Sequence, residues 1–171
     1  REQNADGSWL TNGRTGTYGA AMTGLGGLAL LSQGSTISSG RYAPQVRRAV
    51  LFLLEQAEPE TGVLTGGTGR PSMHGHGFAL LFLAEAYGSE PGDPLTARMK
   101  GVLTRAVQLT ARSQSENGGW YYTPESNMDE GSVTVTQIQA LRACVNAGIY
   151  VPKETIDRAV KYIELSANPD G

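Results

Sequence analysis

The pattern Gln-x-x-x-Gly-x-Trp occurs twice, as Gln3, Gly7 and Trp9 in "EQNADGSWLT" and as Gln114, Gly118 and Trp120 in "SQSENGGWYY". Three residue types held at fixed spacing inside polar turns constrain the chain to a repeat architecture, because a turn recurs only when the elements around it recur. Gln56 opens "QAEPETGVL", a degenerate copy with two extra residues and Leu64 in the tryptophan position. "SANPDG" begins a fourth copy that stops at Gly171. The period of about 55 residues is that of stacked helical pairs. The expected organisation is one domain over residues 1–171, with repeats over 3–55, 56–113 and 114–166. A sequence that starts and stops inside turn motifs is expected to be part of a longer chain.

Each repeat reads as two helices. The first is apolar on more than one face, in "MTGLGGLALLSQG", "GFALLFLAEAYG" and "TVTQIQALRACVNAG". Such a helix is expected to lie inside the protein. Each run closes on a glycine (Gly34, Gly88, Gly148) suited to the left-handed position after a helix. Val133 and Val135 would suit a strand, but the length of the run and its terminal glycine favour helix. The second helices begin near Pro44, Pro94 and Pro152 and carry one apolar stripe, such as Val46, Val50, Leu53 and Leu54. Their opposite faces hold Arg47, Arg48, Arg98, Arg105, Arg158 and Lys161, expected to form a solvated outer surface. Six helices alternating inner and outer predict an all-α barrel of hairpins.

Composition narrows the partners. A net charge of -2 and a pI near 5.7 give no general attraction to nucleic acid or to an anionic membrane. The longest apolar runs, "FALLFLA" and "VLFLL", are too short to span a bilayer. The single cysteine, Cys144, forms no internal disulfide and reads as a small buried hydrophobe.

The two Gln-x-x-x-Gly-x-Trp copies resemble the QW motif of squalene and oxidosqualene cyclases. The inner–outer alternation resembles the α/α toroid shared with protein prenyltransferase β subunits and complement-type thioester domains. "HGHGFALLFLAEAYG" and "SVTVTQIQALRACVNAGIYVPKETIDRAVKYI" look most like uncharacterised bacterial prenyltransferase and squalene oxidase repeat proteins of planctomycete type. The resemblance covers the whole chain and implies an α/α toroid, of which three hairpins are about half. It also implies export from the cell and structural roles for Gln3, Gly7, Trp9, Gln114, Gly118 and Trp120, with each tryptophan stacked on its own repeat's glutamine. One fold hosts several unrelated activities, so the chemistry has to be read from sites.

The loops entering the inner helices carry the candidates. In "MHGHG", His74 and His76 are expected to face a ligand or cavity. Two imidazoles fall short of the three or four protein ligands zinc takes, and the Asp-x-Cys pair of protein prenyltransferases is missing, so no metal is implied. In "MDEGSVTVT", Asp129 and Glu130 are the candidate catalytic acids, although Asp-x-Asp-Asp-Thr-Ala and Asp-Cys-Thr-Ala-Glu are both absent. Acids at this place are also favoured by the helix dipole. Tyr121 and Tyr122 offer a stacking surface. "TGGTGRPS", with Arg70, lacks the Gly-Lys-Ser/Thr ending of a phosphate loop and reads as a connector. No cofactor is implied.

Two functional readings follow. The first is a non-catalytic repeat module that binds a protein partner or an apolar ligand within a longer protein. The second is a terpenoid cyclase or prenyltransferase-type enzyme with part of its catalytic apparatus outside this segment. In either case the open repeat ends are expected to be sticky, covered by a second copy or by further repeats.

Overall fold

The computed structural model describes residues 2–9, 18–65, 72–90 and 92–168, which form six helices and no strand. They are α1 (Gly19–Leu31), α2 (Ala43–Glu55), α3 (Met73–Gly88), α4 (Thr96–Arg112), α5 (Gly131–Asn146) and α6 (Lys153–Ser166). The chain is therefore all-α, with one pair of helices in each predicted repeat. Val133 and Val135 lie inside α5. Residues 169–171 and Arg70 lie outside the described residues.

The odd-numbered helices pack side by side, α1 on α3 and α3 on α5, as the most extensive helix contacts in the molecule. Small residues allow this approach. A Cβ on Gly24 would stand 2.6 Å from the Phe78 carbonyl oxygen, and one on Gly77 would stand 2.5 Å from Thr136 Oγ1. Both distances are well inside ordinary contact, so glycine sets the spacing of the helices here. Helices α2 and α4 each bury one stripe, with Val46, Val50 and Leu53 on α2 corresponding in register to Leu103, Val107 and Thr110 on α4.

Three turns of one design join each even helix to its neighbours. Backbone bonds of 2.9 Å run from Asn4 to Ser8, from Glu58 to Val63 and from Ser115 to Gly119, amide to carbonyl. The next glycine has positive φ in every copy: 92° at Gly7, 81° at Gly62 and 94° at Gly118. It presses onto the following even helix, where a Cβ would meet the carbonyl oxygen of Arg48, Arg105 or Arg158 at 2.3–2.5 Å. These bonds place Ala57, not Gln56, at the position of Gln3 and Gln114. The middle turn therefore holds one extra residue rather than the two its sequence suggests, and Gln56 caps the end of α2 instead.

The glutamines clamp the same joint. Gln3 Nε2 donates to the carbonyls of Gly7 and Gln45, each at 2.9 Å. Gln114 Nε2 donates to Gly118 at 2.8 Å and to Thr155 at 3.0 Å. Gln45 and Thr155 lie in the first turns of α2 and α6, where the orphan backbone groups are N–H rather than C=O. The amide thus tethers the turn to the helix and caps nothing.

Gly34 and Gly148 take the left-handed conformation expected beyond a helix, with φ of 80° and 77°. Gly88 does not; it is the last residue of α3 and packs against Ala147 beyond α5. Arg47, expected on a solvated face, instead bonds Asp93 at 2.7 Å and ties α2 to the connector before α4. Asp93 also accepts the Leu95 amide at 2.8 Å, so one carboxylate holds a turn and an inter-repeat contact together.

Gly118→Ala is expected to cost at least about 2 kcal/mol in urea unfolding, because it adds both a backbone clash and a left-handed alanine. Gly34→Ala has open space around it and is expected to cost about 1 kcal/mol. Equal losses at the two positions would remove the turn contact as the cause.

Candidate functional site

His74 and His76 lie two residues apart on α3, about 200° around a helix of 3.6 residues per turn, so they face opposite ways. The expectation that both face a ligand is corrected for His76, which is wholly buried. Its Nδ1 accepts the Leu64 amide at 3.2 Å, which fixes the ring as the Nε2–H tautomer. Nε2 then donates to Thr110 Oγ1 at 3.0 Å, and that hydroxyl donates to the Ala106 carbonyl at 3.0 Å. Burial pushes the imidazole down to about 4, against an opposing pull from the Ala106 carbonyl and with help from the Arg112 charge.

His76 occupies a position that threonine holds in the other repeats. The Trp9 amide donates to Thr23 Oγ1 at 3.1 Å, and the Trp120 amide donates to Thr134 Oγ1 at 2.9 Å. Where the turn carries tryptophan, the helix answers with threonine; where it carries Leu64, the helix answers with histidine. The larger acceptor accompanies the smaller turn residue. The two Trp–Thr pairs share a separation of 14 residues, a regularity visible in the sequence that identifies these threonines.

His74 is half-buried at the start of α3. Its Nε2 lies 3.0 Å from Ser132 Oγ, and Ser132 donates to Glu130 Oε2 at 2.6 Å. Glu130 is the N-cap of α5 and accepts the Val133 amide at 3.0 Å. Tyr122 stands with its ring 5.6 Å from His74 and 4.8 Å from Tyr121. The structure thus brings together His74, Glu130, Tyr121 and Tyr122, and adds Ser132.

The order of bonds decides what this row can do. Ser132 gives its proton to the carboxylate, so His74 offers Ser132 a donor and does not act as its base. This is the reverse of a Ser–His–carboxylate triad. Glu130 is held below the usual carboxylate range by the Ser132 hydroxyl and the Val133 amide, with a smaller contribution from His74. It is an ionised cap, whereas protonating an alkene requires a carboxylic acid that retains its proton at neutral pH.

Asp129 turns toward α6. Its Oδ2 accepts from Asn117 Nδ2 at 2.9 Å and from Ser115 Oγ at 3.4 Å, bracing the third turn. It lines an open cleft of about 370 Å³ with Arg158, Lys161 and Tyr162. The two acids paired in sequence therefore serve different faces. Trp120 is fully buried, and its Nε1 donates to the Thr110 carbonyl at 2.7 Å, on the even helix of the preceding repeat. Trp9 is only partly buried, with its ring over Gly26. Cys144 is buried, which pushes its thiol up to about 12. Among the described residues no group of three or more His, Cys, Asp and Glu converges as a metal site, and no helix is long and apolar enough to cross a membrane.

A second candidate was not foreseen from the sequence. An apolar groove of about 370 Å³ runs between α5 and α6, lined by Ile138, Leu141, Val145, Ile156, Val160 and Ile163. Each of these positions reads as an ordinary core position by periodicity, so the sequence pattern alone gives no sign that the groove stays open.

No model of a known protein family matches the chain, and no curated protein matches it in sequence.

The shift at His76 has a defined consequence. Its folded-state value lies below the unfolded 6.5, so the full contribution is present above pH 6.5 and is lost as pH falls toward 4. The expected loss is about 3 kcal/mol across that window. His76→Phe is expected to lower stability at pH 7 and to flatten this part of the pH profile, measured by urea unfolding. An unchanged slope would show that another group carries it.

Proposed function

We propose that the chain is a helical-hairpin repeat module of the squalene cyclase and prenyltransferase-like α/α-toroid kind, non-catalytic as it stands. It works by presenting an apolar surface to an apolar ligand or a protein partner. The observation that carries this reading is the groove between α5 and α6. Val160 and Ile163 are 51% and 48% exposed there, while Ala159 beside them is buried. A contiguous apolar patch of this kind on a folded domain is where binding is gained. The resemblance to QW-motif proteins and the recurrence of the glutamine clamp support the repeat type. The residues with chemical potential point the same way, since His76 is part of the core, Asp129 braces a turn and Glu130 caps a helix.

The alternative is a terpenoid cyclase or prenyltransferase-type enzyme, favoured by the His74–Ser132–Glu130 row beside Tyr121 and Tyr122. Its weakness is chemical. The carboxylate in that row is stabilised in its charged form.

An anilinonaphthalene sulfonate titration of dilute folded protein tests the binding reading. Saturable dye binding is expected, reduced about tenfold or more by Ile163→Asp with the helical circular dichroism unchanged. Absence of saturable binding in the unsubstituted chain would defeat it. Turnover of a linear isoprenoid that disappears in Glu130→Gln would instead establish the enzyme.

A further inference from the structure

The interior of the repeat stack holds a cleft distinct from both the α5/α6 groove and the His74 row. It opens where the turn before α3, the end of α4 and the loop before α5 meet, and its volume is about 270 Å³. Val63, Leu109 and Pro124 give it apolar walls, and the exposed side chains of Arg112 and Glu125 stand beside them. The walls come from repeats two and three, which the bond from the Trp120 indole to the Thr110 carbonyl already holds together.

Arg112 and Glu125 carry opposite charges in one small cleft, yet they form no ion pair with each other among the described residues. Arg112 gives one guanidinium N–H to the Thr61 carbonyl, which leaves the other donors of its fork without a protein partner. The loop that carries Glu125 is braced on both sides. The Asn127 side-chain oxygen accepts the Glu116 amide at 3.0 Å, and the Tyr122 carbonyl accepts the Met73 amide at 3.0 Å. Two opposite charges held apart on braced walls are complementary to a ligand that carries both.

Ser113 supplies an independent indication. It lines the same cleft at 5% exposure, and its Oγ has no hydrogen-bond partner among the described residues. A buried hydroxyl left without a partner is destabilising until something bonds to it. The repeat itself does not demand Arg112. By the register that Arg48, Arg105 and Arg158 define, the same position holds Glu55 in repeat one and Leu165 in repeat three. The corresponding cleft beside the third turn, lined by Tyr162, Leu165 and Ser166, keeps the serine and has no guanidinium at that position. The charge of Arg112 is therefore particular to this cleft.

We propose that this cleft binds a free α-amino acid with an aliphatic side chain. The ligand carboxylate lies against Arg112 and accepts from the Ser113 hydroxyl, its ammonium lies against Glu125, and its side chain rests on Val63, Leu109 and Pro124. A guanidinium suits the carboxylate because its planar fork presents paired N–H groups. A cleft smaller than those that enclose drug-sized molecules suits a ligand of this size. The site shares no residue with the α5/α6 groove and stands independently of it.

Isothermal titration calorimetry with leucine tests it. Saturable binding is expected, about tenfold or more weaker for N-acetylleucine, which has no ammonium, and for leucinamide, which has no carboxylate. Glu125→Gln alters an exposed side chain that makes no hydrogen bond among the described residues, so the fold is expected to be kept. It is expected to weaken leucine about tenfold or more and to leave N-acetylleucine unchanged. Ser113→Ala is expected to weaken both, because both present a carboxylate. Ile163→Asp, in the other groove, is expected to change neither. Absence of saturable leucine binding at roughly 10 mM, or equal leucine affinity in Glu125→Gln, overturns the proposal. Loss of leucine binding in Ile163→Asp places the ligand in the α5/α6 groove and rejects this cleft as well.

Discussion

Each repeat is pinned where a turn glycine rests on the backbone carbonyl of an arginine in the next even helix: Gly7 on Arg48, Gly62 on Arg105, Gly118 on Arg158. Positive φ at that glycine lets the turn fold back, and the missing side chain lets it come within contact distance. Everything downstream takes its place from this joint. The next residues leave the turn in a fixed direction, the backbone N–H of Trp9, Leu64 or Trp120 finds its acceptor on the following odd helix, and that helix is set beside its predecessor. Glutamine reinforces the joint in the outer two turns. The middle turn does without it, which shows that the glycine contact is the more basic of the two.

The middle repeat also shows how a repeat tolerates loss of its signature. Leu64 replaces a tryptophan and His76 replaces a threonine, and the backbone bond between the two positions survives with a ring nitrogen as acceptor. His76 then reaches Thr110, the residue whose carbonyl receives the Trp120 indole. Repeats two and three are thus joined through one residue at the end of α4. A buried imidazole is the consequence, and its depressed proton affinity reflects a structural role rather than a reactive one.

Much of the fold was legible in the sequence. Apolar periodicity, prolines near the starts of the even helices and a recurring polar turn placed all six helices and their pairing. The candidate site was legible in part. His74, Glu130, Tyr121 and Tyr122 do come together, but Ser132 between them was not singled out, and Asp129 belongs to a different face. Adjacent residues on a loop can turn to opposite sides, and residues two apart on a helix do so by geometry. Spacing in sequence does not report either outcome.

The sequence by itself determined the element type, the repeat and the identity of the turn residues, because those depend on local backbone preference and on the 3.6-residue period. Only the tertiary structure decided which apolar stripes are covered. Val50, Val107 and Val160 sit at one register position on three similar helices, yet the first two are buried and the third is half open. Burial depends on what lies across the interface, and a neighbour is a property of the assembled stack rather than of the stripe it covers.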